Sequence, residues 1–152
     1  MAAARATGAE FFEPYNLALL ARAYQTVGQP ETGLTVLAQA LAQVEKTEER
    51  FWEAELYRLK GELLLQHRKV GEGGKDENEA EQCLWQAIEV ARRQGAKSLE
   101  LRATVSLGRL WQRQGKKDEA WQMLAELYSW FTEGFDTVDL QKAKLLLEEL
   151  SA

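Results

Sequence analysis

The sequence is poor in the residues on which cross-linking, metal binding and most catalysis depend. Its one cysteine, Cys83, has no second thiol with which to close an internal disulfide. Its one histidine, His67, cannot supply a multi-histidine zinc site. Two prolines are few for the many turns of an all-β chain. No apolar run approaches the roughly 18–20 residues that cross a bilayer. Residues 1–9 carry Arg5 but lead into no apolar segment of the kind a secretory signal requires. These shortages predict a soluble protein of the reducing cytoplasm, with no membrane partner, no metal and no cofactor. A net basic charge is also lacking. A net charge of −5 and a pI near 5.1 argue against nucleic acid as the main partner.

What the chain has in abundance is Ala, Leu, Glu, Gln, Lys and Arg, the strong helix formers. Its 152 residues, 45% apolar and 28% charged, suit a single globular domain. Helical stripes follow one another closely. Leu17, Leu20, Ala21 and Tyr24 lead to the breaker Gly28-Gln29-Pro30, where Pro30 and Glu31 suit a helix start. Leu34, Leu37, Ala40, Leu41 and Val44 form a second stripe. Thr47 is a candidate cap for a third helix carrying Trp52, Leu56, Leu59, Leu63 and Leu64. A Gly-rich polar loop is expected from Lys69 to Asn78. Further stripes run from Ala80 to Ala91, Leu101 to Trp111, Trp121 to Phe131 and Leu140 to Leu150, the last with Asp136 as its expected cap.

The helices repeat in pairs. A small residue stands three positions before a large one in each first helix: Ala21 and Tyr24, Gly61 and Leu64, Gly108 and Trp111. The second helices carry Gly33, Leu37 and Ala40, then Ala80, Leu84 and Ala87, then Ala120, Leu124 and Leu127. Ala21 to Gly61 is forty residues, and Gly61 to Gly108 is forty plus seven. One seven-residue insertion, in the Gly-rich loop, accounts for the difference. Such a period marks a repeat whose pairs bury their apolar faces by stacking, the small residue admitting the neighbouring backbone. The expected fold is all-α: three antiparallel helix pairs, about 11–46, 47–95 and 97–131, plus a capping helix at about 136–151. Residues 1–10 are expected to be poorly ordered, and 11–152 to form the repeat domain.

Leu-Gly-x-x-Trp at 107–111 followed by Ala-x-x-x-Leu at 120–124 resembles the tetratricopeptide repeat. That resemblance implies a right-handed superhelix. A narrower one covers about Thr7 to Leu150 and rests on three strings. They are RFWEAELYRLKGELL at 50–64, QGAKSLELR at 94–102 and WFTEGFDT at 130–137. These resemble the C-terminal repeat tail of large bacterial signalling proteins, which join a class III nucleotide cyclase or another effector to a signalling ATPase. The resemblance implies a regulatory module that meets its own upstream ATPase or effector domain, or another copy.

Active-site constellations are weak. Gly71-Glu72-Gly73-Gly74-Lys75 has Lys69 and Asp76 where a Walker loop needs glycine and Ser/Thr, so a plain loop is expected. His67 lacks a partner histidine, Cys83 sits on an apolar helix stripe, and most tryptophans fall within the stripes as packing residues. A non-enzymatic interaction module is the expectation. In the tetratricopeptide arrangement the groove would present Tyr15, Ala18, Arg22, Gln25 and Thr26 from the first pair. The second would present Glu55, Arg58, Glu62, Leu65 and Gln66, and the third Arg102, Val105, Arg109, Gln112 and Arg113. Arg102, Arg109 and Arg113 share one helical face and could pair with a protein or peptide partner that is acidic. Residues 91–117 hold eight Lys or Arg against Glu100, and 118–152 hold eight acids against Lys142 and Lys144. The competing expectation is a structural or self-associating module with no free ligand.

Overall fold

Most residues of each apolar stripe fall on the inner face of a helix, Leu20 being an exposed exception, in the computed structural model, which describes residues 10–48, 50–67 and 75–152. The helices are α1 (Glu10–Thr26), α2 (Pro30–Thr47), α3 (Glu53–His67), α4 (Lys75–Gln94), α5 (Lys97–Arg113), α6 (Lys117–Tyr128) and α7 (Val138–Ser151). No strand occurs among the described residues, and the protein is all-α.

Three of the connections share one chemistry. Gly28, Gly95 and Gly115 adopt positive φ, a conformation open to glycine at little cost. The next amide then reaches five residues back: Gln29 to Tyr24 O, Ala96 to Ala91 O and Lys116 to Trp111 O, at 2.8–2.9 Å. Each turn closes so tightly that the following helix, α2, α5 or α6, starts without a side-chain cap.

Several local expectations need correction. Thr47 does not cap α3; it is the last residue of α2, and its hydroxyl donates to Gln43 O at 2.8 Å. Glu48, left-handed at φ 59°, ends that helix. Trp52 consequently lies in the turn before α3. At α7 the cap is Thr137 rather than Asp136, its side chain accepting from the Leu140 amide. The loop expected to extend to Asn78 stops earlier, because α4 begins at Lys75 with Asp76 and Glu77 in its first turn. Carboxylates there favour the positive helix end. The rest of that loop through 74, with the glycine-rich string, lies outside the described residues, as do residues 1–9. Phe131 falls beyond α6 but still packs on its core cluster.

The chain separates into two compact units, one up to Cys83 and one from Leu84 on. In the first, α1, α2 and α3 pack on one another pairwise; in the second, α5, α6 and α7 do the same. A shift of 87 residues, from Ala21 to Gly108, superimposes the two patterns. Leu37, Leu59 and Leu63 then correspond to Leu124, Leu146 and Leu150, and all six are buried. Tyr24 and Leu41 correspond to Trp111 and Tyr128, which pack on their respective cores in the same way.

Candidate functional site

The positions expected to line a groove divide into buried residues, residues that join two helices, and exposed ones. Glu55, Leu65 and Val105 are buried, as is Ala18. Val105 and Ala18 occupy one register and belong to the two cores.

The joining residues follow a rule. Gln25 on α1 donates to Glu62 on α3 at 3.0 Å, and Gln112 on α5 donates to Glu149 on α7 at 3.3 Å. These pairs are equivalent under the 87-residue shift, and each spans 37 residues. At the other end of the same seam, Tyr15 on α1 meets Trp52 with ring centroids 4.8 Å apart. The equivalent pair in the second unit is Arg102 and Asp139, with Nε to Oδ2 at 2.9 Å. A first helix is therefore stitched in fixed register at both ends, to the third helix of its unit or, at Trp52, to the turn that leads into it. The chemistry is aromatic in one unit and ionic in the other.

These contacts consume part of the expected ligand-binding charge. Arg102 is held by Asp139, and Arg109 lies 3.6 Å from Glu149. Arg58 pairs with buried Glu55 and, at 3.0 Å, with Glu62, so the second-pair positions form a closed network. Gln66 donates to Gln25 O at 3.0 Å. Arg22 and Arg113 are the exposed guanidiniums of this set, and neither has an ion partner among the described residues.

His67 contacts Glu31 of α2 at 2.9 Å. Cys83 is buried, and burial raises its thiol pKa. Burial, with the charge of Glu53 behind it, likewise raises that of Tyr57. Glu100 is buried yet satisfied by Arg92 at 2.9 Å and Lys97 at 3.4 Å. Among the described residues no group of three or more His, Cys, Asp or Glu is placed to hold a metal, and no helix is long and apolar enough to cross a membrane.

The tryptophans depart from expectation. None is fully buried, and Trp121 and Trp130 are exposed. Trp121 lies off the α6 stripe of Ala120, Leu124 and Leu127 that packs inward. Together with Trp85, Trp111, Glu119, Gln122, Met123, Ala125 and Glu126 it borders an open hollow of about 750 Å³ in the second unit. The periodicity argument missed this feature because it assigned aromatic residues to the core. The usable signal was the departure of these positions from their equivalents in the first unit. Models of known protein families give no match to the chain, and neither do curated proteins.

Proposed function

We propose that the chain is a non-catalytic protein-interaction module of tetratricopeptide-like repeats, in which the exposed arginines of α1 in the first unit and of α5 in the second each attract an acidic partner segment. The observation that carries the reading is the recurrence of one three-helix unit at an 87-residue shift, with an equivalent Gln–Glu seam pair in both copies. Repeat units of this kind commonly bind partners through their exposed helix faces. In the first unit Arg22, and in the second Arg113, is the charge left for a ligand, with Arg109 only loosely engaged at 3.6 Å. The resemblance to signalling-protein tails supports, as part of this reading, a partner in an ATPase or effector domain and a cytoplasmic setting.

The experiment is binding of an acetylated hexaglutamate peptide to the parent and to an Arg22→Gln, Arg113→Gln variant over a salt series. Exposed ion contacts are worth about 0.2–1 kcal/mol each, so the double change should weaken binding by at least about twofold. The salt slope should flatten as well. Equal affinity and equal slope would remove these arginines from the function.

A second reading is self-association. It is favoured by Val138 and Leu145, exposed on α7 at 63% and 53%. Light scattering over a concentration series separates it from the first: a molar mass that climbs with concentration supports it.

A further inference from the structure

We propose that the hollow bordered by Trp85, Trp111 and Trp121 is a docking site for a lysine- or arginine-bearing segment of a partner protein. It lies on α4, α5 and α6, is lined by none of the arginines of the groove reading, and is independent of that reading.

Three observations carry the proposal. The first is the chemistry of the walls. Trp85 and Trp111 stand with ring centroids 6.0 Å apart and planes inclined at 59°, which presents π-surface at two angles. Trp121 is 42% exposed beside them. Indole faces attract cations through the ring quadrupole, and tryptophan does so best. Trp111 already has a cation against it, since Lys116 Nζ lies 5.9 Å from the ring centroid.

The second observation is charge. The ionisable groups lining the hollow are Glu119 and Glu126, both exposed, and no lysine or arginine lines it. Seven residues apart on α6, the two carboxylates fall on one face of the helix. Aromatic walls with a carboxylate rim complement a cation on a flexible stem, whose methylenes the rings and Met123 can cover.

The third observation separates binding from packing. If the repeat itself needed these side chains, the first unit would carry them in the same register. At the positions equivalent to Trp111, Glu119, Trp121, Met123 and Glu126 it has Tyr24, Thr32, Leu34, Val36 and Gln39. The same three-helix packing is thus achieved with one aromatic ring and no carboxylate at these positions.

The test is titration of acetyl-hexalysine amide into the isotopically labelled full chain, following the five indole N–H signals. The signals of Trp85, Trp111 and Trp121 should shift together while those of Trp52 and Trp130 stay in place. Trp121→Ala should weaken binding about two- to fivefold. Glu119→Gln with Glu126→Gln should weaken it about twofold or more at low salt. Glu133→Gln with Glu148→Gln, an equal loss of charge at exposed sites elsewhere, should leave it unchanged. The proposal is overturned if the three indoles do not respond, or if both double variants weaken binding equally, which would mean general attraction to an acidic surface. Circular dichroism checks the fold of Trp121→Ala, and the carboxylate variants test the site without touching an aromatic ring. Loss of hexaglutamate binding with hexalysine binding intact would defeat the groove reading alone.

Discussion

A methyl group added at Gly33 would stand 3.0 and 3.3 Å from the two Leu63 methyls and 3.4 Å from the Ala21 carbonyl oxygen. At Gly108 it would meet only the Leu146 Cδ2, at 3.1 Å. The carbonyl contact is ordinary, but at Gly33 both methyls of a buried leucine would have to give way, against one methyl at Gly108. Gly33→Ala should therefore lose stability, while Gly108→Ala should change it little, because alanine restores about 1 kcal/mol of helix propensity. Gly108→Leu should cost about 1–3 kcal/mol by overpacking, and denaturant unfolding of the three variants checks the order. Cys83 makes a different prediction. Burial raises its pKa in the folded chain, so the unfolded thiol ionises first as pH rises. Tyr57 is shifted in the same direction, chiefly by burial. The sign is fixed: stability is held below the ordinary thiol and phenol ranges and falls as pH climbs through them. Thermal melts should show that fall starting near the thiol range, and a disulfide reagent should label native Cys83 far more slowly than unfolded chain.

At the scale of a helix, the ends are where sequence and structure part company. The apolar stripes were readable because burial at 3.6-residue spacing leaves a strong trace, and Pro30 and the turn glycines marked their positions directly. Caps leave a weaker trace. Asp136 and Thr137 are adjacent and both able to cap; backbone geometry alone chooses Thr137, extended at ψ 151°. Thr137→Ala should therefore cost about 1 kcal/mol and Asp136→Ala much less, as read from unfolding midpoints. Thr47 misled for the same reason, since a threonine suits a helix end as a back-bonded residue as well as a helix start. The outer face of α7 was equally hidden. Where α3 has Tyr57, Gly61 and Leu64, α7 has Lys144, Glu148 and Ser151, all exposed. The same helix positions are thus covered in one case and exposed in the other.

Over the whole molecule, the repeat was legible because small residues recur in register at Ala21, Gly33, Gly61, Gly108 and Ala120, all buried, with tight approaches at Gly33 and Gly108. The candidate surface was not, because the groove rule names positions and not partners. Nothing in the spacing of Arg102, Arg109 and Arg113 announces that Asp139 and Glu149, on a helix some forty residues on, will claim two of them. Leu59→Ala and Leu146→Ala, both fully buried in equivalent places, should each cost about 2–5 kcal/mol, with hydrogen exchange showing the loss concentrated in the unit that carries the change. The seams add a consequence for how the chain assembles. Two near-identical three-helix patterns in one polypeptide invite misassembly, in which a helix of one copy settles against the other. Gln25 and Gln112 offer no discrimination, since each would accept either glutamate. The far ends do discriminate. Were α7 to dock on α1, Asp139 would face the Tyr15 ring and its carboxylate would lose its guanidinium. One stitch in each unit thus sets the register of the helices, and the other acts as a proofreading mark that tells the copies apart while the chain folds.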